Sequence, residues 1–74
     1  MTTKQFTAYR RLNRLLLQQS TGSAAQLAQR IGVNRATIFD YLRVLQNLGA
    51  EIEYDRKRNT YWYINGFSLQ NFFG

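Results

Sequence analysis

Residues 55–59 read Asp-Arg-Lys-Arg-Asn, three consecutive cations between two acid-or-amide flanks. Arg35 and Arg43 lie further upstream, eight residues apart, so on a helix they share one side about two turns from each other. Guanidinium and ammonium groups in this arrangement bind anions; a guanidinium fork also matches the O6/N7 edge of guanine. They do not suit bond-breaking chemistry, and the chain holds no His and no Cys to supply it. The four acids, Asp40, Glu51, Glu53 and Asp55, show no spacing that would pair two of them in a pocket, and Ser23 is the only clear hydroxyl near a helix start. General acid–base and nucleophilic catalysis both need partners within hydrogen-bond reach. The expectation is therefore no enzyme, no catalytic residue, no metal ligand set and no cofactor.

The bulk charge agrees with the clusters. Ten Lys/Arg stand against four Asp/Glu, a net charge of +6 and a pI near 10.3, which points to a polyanionic partner. Seventy-four residues with 45% hydrophobic content suggest one domain, 1–74. A chain of this size buries only roughly 60% of its unfolded surface, so a second copy would help it. Disulfides and the usual structural zinc ligands are excluded. Nothing resembles a signal peptide, and no apolar run approaches the roughly 20 residues that span a bilayer. The expected setting is the cytoplasm, at the nucleoid, with no membrane contact.

The elements that would position the cations follow from hydrophobic period. From Lys4 to about Gln19, Phe6, Tyr9, Leu12 and Leu16 share one helical side, with Lys4, Arg10, Arg11 and Arg14 roughly opposite as a solvated outer face. Thr3 is placed to cap that helix. Gly22 breaks the pattern; Ser23 and Gln26 then have capping-box spacing for a short helix whose Leu27, Ala28 and Ile31 face inward. Gly32 ends it, Val33 is an apolar plug, and Asn34 caps a third helix over 35–48, ended by Gly49. Its inward stripe is Ile38, Tyr41, Leu42, Leu45 and Leu48; the opposite side carries Ala36, Phe39, Asp40, Arg43 and Asn47.

After Gly49 the period changes from 3.6 to 2. Residues 50–64 read as an antiparallel hairpin joined across Arg56–Asn59, with Ile52, Tyr54, Tyr61 and Tyr63 toward the helices. Glu51, Glu53, Trp62 and Ile64 would face outward. The apolar tail 65–74 fits a further edge strand, a cover over the hairpin, or a dimer contact, with Trp62 covered by Phe67, Phe72 or Phe73. The expected fold is α+β: three helices followed by a β-hairpin wing, with the helix-turn-helix at about 23–48 and the wing at about 50–64.

Several spacings converge inside that outline. Ala28 is small where two helices must approach, Gly32 and Val33 sit at the turn, and Ile38 lies six residues beyond the glycine. The stretch LAQRIGVNRATIFDYLRVLQNLGAEIEYDRKRNTYWY, residues 27–63, resembles the winged helix-turn-helix of bacterial repressors. It is similar to the N-terminal domain of the biotin-operon repressor and to DeoR-type regulators. Leu27–Ala28, Gly32–Val33–Asn34, Thr37–Ile38, Leu42 with Leu45, Leu48–Gly49, Ile52 and Tyr54, Arg56–Arg58, and Tyr61 with Tyr63 carry the likeness. Two positions depart from the pattern. Asn34 replaces a serine, which leaves capping intact, and Phe39–Asp40–Tyr41 stands where such regulators tend to carry cationic or Trp-Arg-Asp-like residues. Ligand sensing and ligase activity are not carried over.

The resemblance implies double-stranded DNA as partner, with the third helix in the major groove and a role in prokaryotic or phage transcription. Candidate base contacts are then Arg35, Ala36, Thr37, Phe39 and Arg43. Candidate phosphate contacts are Ser23 at the start of the second helix, Asn34, and the wing-tip residues Arg56, Lys57 and Arg58. Asp40 is expected to pair with Arg43, and Tyr41 to be structural. A homodimer would use the outer hairpin face and tail: Trp62, Phe67, Phe72 and Phe73. Two other classes compete: a winged-helix protein-interaction or assembly module, and a binder of RNA or single strands through Trp62.

Overall fold

A computed structural model describes residues 3–69, with side chains from Phe6 onward; Phe72 and Phe73 lie outside this range. Three helices, α1 (Thr3–Gln18), α2 (Ala24–Ile31) and α3 (Arg35–Asn47), precede an antiparallel hairpin of β1 (Ile52–Asp55) and β2 (Thr60–Tyr63). This is the α+β order of a winged helix-turn-helix.

The helix ends follow from their capping residues. Ser23 accepts a hydrogen bond from the Gln26 amide while the Gln26 side chain accepts from the Ser23 amide, the reciprocal box that satisfies two otherwise orphaned donors. Gly32 closes α2 at φ 91°, a left-handed conformation costly to any residue with a Cβ, and its amide bonds to the Ala28 carbonyl at 2.8 Å. Asn34 then accepts from the Thr37 amide at 2.8 Å and starts α3 after a turn of only three residues, 32–34. That short connection fixes the α2–α3 geometry.

Leu12, Leu16, Leu27, Ile38 and Leu45 are buried almost completely and form the centre of one core, with Tyr63 and Leu69 closing it from the hairpin side. Truncating a leucine at such a site costs about 2–5 kcal/mol, a large part of what a small domain has. Leu48, expected on the inward stripe, is instead the C-cap of α3 and is 42% exposed. The helical period no longer applies there, because the chain turns into the Gly49 bend, where the Ala50 amide bonds back to the Leu45 carbonyl at 3.0 Å.

Strand register pairs Ile52 with Tyr63, Glu53 with Trp62, Tyr54 with Tyr61 and Asp55 with Thr60. Ile52, Tyr61 and Tyr63 face the core as the alternation requires. Tyr54 shares their parity but lies toward the tip end of β1 and is 39% exposed. Within the tail, Phe67 departs from the expected cover over Trp62. Phe67 packs on Tyr63, ring centroids 5.2 Å apart, on the inner side rather than over Trp62. Asn65 makes the reversal: its carboxamide accepts from the Glu51 amide at 3.2 Å and donates to the Gly49 carbonyl at 3.0 Å, turning the chain under the sheet.

Candidate nucleic-acid interface

Two polar clusters outside the hydrophobic core hold the wing against the helices. Thr21, in the connection between α1 and α2, and Thr60, at the start of β2, are both fully buried. The Thr21 amide donates to the Thr60 hydroxyl at 3.1 Å, the Tyr61 amide donates to the Thr21 hydroxyl at 2.7 Å, and the two hydroxyls lie 3.2 Å apart. Two side chains thus do what a third strand would do, pairing backbone amides across 39 residues of sequence. The second cluster is centred on Asn13, buried in α1, whose Oδ1 accepts from the Tyr63 hydroxyl at 2.9 Å and from the Leu69 amide at 3.0 Å. Burial pushes the Tyr63 phenol far above its ordinary range, so it stays protonated and can donate.

The wing tip is tied down as well. Asp55 Oδ1 accepts from the amides of Lys57 at 2.9 Å and Arg58 at 3.2 Å, an Asx-type turn that shapes 55–58. Asn59, at φ 54°, donates to Gln26 Oε1 at 3.0 Å and accepts from the Tyr54 hydroxyl. Gln26 therefore joins the capping box of α2 to the wing. Gly22 makes room for it: a Cβ there would come within 2.6 Å of Gln26 Oε1, and φ is +73°.

The three wing-tip cations end in different states. Arg58 folds back, its guanidinium 3.8 Å from Asp55 and hydrogen-bonded to the Gln19 side chain. Arg56 and Lys57 are exposed, with no ion pair or hydrogen-bonded side chain among the described residues. On α3, Arg35, Ala36, Phe39 and Arg43 are exposed and Thr37 is half-buried. Arg43 lies 3.6 Å from Asp40, with both side chains about 70% exposed. Such a pair is worth roughly a few tenths of a kcal/mol and does not hold Arg43 away from a stronger partner.

Arg35 stands in electrostatic range of β2. The Tyr61 phenol is raised by burial and by neighbouring Tyr54, whose ring centroid is 4.9 Å away, and Arg35 opposes that shift. The opening turn of α3, the two aromatic rings and the wing thus form one surface. Phe39 lines an open groove of about 330 Å³ with Leu42, Arg43, Gln46, Ile52 and Tyr61, between α3 and the sheet. Ser23 and Asn34 sit at the starts of α2 and α3, where free amides and the helix dipole favour negative charge. Their side-chain oxygens are occupied as caps.

Chain order gave no signal for Asn13, Thr21, Gln19, Asn59 or Asn65. Only the Ser23/Gln26 spacing hinted that Gln26 mattered, and its second role toward the wing had no counterpart in sequence. Among the described residues no helix is long and apolar enough to cross a membrane.

A sequence model described as an HTH domain matches residues 9–63. No curated protein matches the chain, and no solved structure does.

Proposed function

The chain belongs to the helix-turn-helix domain family, which binds DNA, and we propose from that premise that it recognises specific duplex sequences as a prokaryotic or phage transcriptional regulator. In this reading α3 enters the major groove. Arg35 and Arg43 reach base edges, Ala36 and Thr37 allow close approach, and Phe39 offers an apolar edge to a thymine methyl. The start of α2 at Ser23, the start of α3 at Asn34, and the wing tip at Arg56 and Lys57 hold phosphates. Arg58 acts mainly by ordering the tip, since Asp55 and Gln19 already engage it.

The observation that carries this reading is a wing hydrogen-bonded to the capped start of α2, with Arg35 on the opening turn of α3 in electrostatic range of β2. A wing docked by Gln26–Asn59 and Thr21–Thr60 keeps its two free cations in register with α3 instead of sampling solvent. The protein would work at the nucleoid in the cytoplasm. Single-strand binding through Trp62 is less well supported: that residue is half-buried and its cross-strand neighbour is Glu53, which repels a phosphate chain. A homodimer through the outer hairpin face would have to use Trp62 without Phe67, whose ring is committed to the core.

Binding of a random duplex and of its separated strands, measured across a salt series, tests the class of ligand. Duplex should be preferred, with log affinity falling by about 0.9 per phosphate neutralised for each decade of salt. Preference for single strands, or association insensitive to salt, would overturn the assignment.

A further inference from the structure

All four acids lie between Asp40 and Asp55, so residues 1–39 carry Lys4, Arg10, Arg11, Arg14, Arg30 and Arg35 with no acid among them. Arg30 is bonded to the Ser20 carbonyl, and Arg35 belongs to the reading face of α3. Arg10, Arg11 and Arg14 remain on α1, all exposed. Arg10 lies 5.8 Å over the Phe6 ring. Arg11 and Arg14 have neither ion pair nor hydrogen-bond partner among the described residues.

The direction of this stripe matters more than its charge. Tyr9 packs on Tyr41 of α3, ring centroids 4.5 Å apart, which marks the side of α1 turned toward α3. At about 100° per residue, Arg10, Arg14 and Arg11 stand about 100°, 140° and 200° around from Tyr9. The stripe therefore points away from the side facing α3. Counted the same way from Tyr41, Arg35 and Arg43 of α3 stand about 120° and 200° around, so the two cationic surfaces both point away from the Tyr9–Tyr41 contact.

We propose that the outer face of α1 is a second nucleic-acid surface, so that one chain grips the phosphate backbone of one duplex segment on Arg10, Arg11 and Arg14 while α3 reads another. The second half of this statement rests on the function proposed above; the first does not. Guanidinium groups that form no ion pair among the described residues supply affinity without sequence, and a phosphate backbone requires nothing more. The α1 surface is a holding site, and its ligand is a duplex of any sequence.

Capture of a labelled second duplex by protein already bound to an immobilised one tests the proposal. Wild type should retain the second duplex. The variant Arg10→Gln/Arg11→Gln/Arg14→Gln, built with a good helix former at exposed sites, should keep its helical circular dichroism and the sequence preference of the first site but lose the second duplex. A complementary variant, Arg35→Gln/Arg43→Gln/Arg56→Gln/Lys57→Gln, should retain weak binding to random duplex. That residual binding should show a salt slope of about 2 to 3, and adding the three α1 substitutions should abolish it. Bridging that survives the α1 substitutions would mean that two copies hold two duplexes, and would overturn the proposal. So would wild type that holds one duplex only, which leaves the α3 reading intact. Retention of poly-glutamate on α1 without a second duplex would overturn it in favour of an acidic protein partner. Failure to bind any duplex removes the α3 reading too.

Discussion

The wing and the outward face of α3 are built in opposite ways. The wing is fastened at its base by Asn13–Tyr63 and toward its tip by Thr21–Thr60, Gln26–Asn59 and Gln19–Arg58, all side-chain hydrogen bonds between distant parts of the chain, while Asp55 shapes the tip locally. The α3 face is held by its own helix; its one ion pair among the described residues is the exposed Asp40–Arg43. Phosphate holding needs fixed position and little chemical discrimination, whereas base reading needs side chains free to take a new partner. The difference in construction matches the difference in task that the proposed function assigns to the two regions.

Substitutions can break the contrast from the side of the frame first, where the largest effects are expected. Asn13→Ala leaves the buried Tyr63 hydroxyl and the Leu69 amide without their acceptor, at an expected cost of about 2–4 kcal/mol in unfolding free energy. Urea titration measures it. Thr60→Val removes the acceptor for the Thr21 amide and should cost about 1–3 kcal/mol by the same titration. It should also weaken duplex binding evenly across sequences, because the tip end of the wing loosens while α3 is untouched. A change in sequence preference from Thr60→Val would mean that wing and reading helix are not separate in function.

The frame was also the part least legible in the sequence. Leu27, Ala28 and Ile31, Gly32, the Ser23–Gln26 spacing and the alternation of Ile52 with Tyr61 and Tyr63 all report local periods or local backbone needs, and each lies where its pattern puts it. Thr21 and Thr60 meet across 39 positions and Asn13 and Tyr63 across 50. Nothing in a helical or alternating period marks a polar residue for such a contact. Arg58 looked equal to Arg56 because its restraint by Gln19 is likewise long-range. Phe67 was expected outside because the turn that folds it inward depends on Asn65 bonding to Gly49 and Glu51. The outward residues of α3 were legible by period, since a helix face needs no distant partner to be placed.

A smaller effect is expected from alkali. The Tyr63 phenol has its pKa raised by burial above the value near 10 it has when unfolded. The folded state therefore keeps its proton where the unfolded state loses it. This contribution is fully present below about pH 10 and falls as pH rises above it. Thermal melts between neutral and strongly alkaline pH should show stability declining from about pH 10 upward. Tyr63→Phe should start lower, having lost the bond to Asn13, and decline less steeply. An equal alkaline slope in both proteins would assign the effect to other groups.

Selection of bound sequences from a random duplex pool separates reading from holding most directly. It should be run on wild type, on Arg35→Ala, and on Arg56→Gln/Lys57→Gln. Wild type should enrich a defined motif. Arg35→Ala should relax it at one position, by about 1–3 kcal/mol of discrimination. The wing variant should enrich the same motif at lower affinity, with a salt slope smaller by about two. A motif altered by the wing variant and unchanged by Arg35→Ala, or no enrichment by wild type at all, would contradict the division of labour between α3 and the wing.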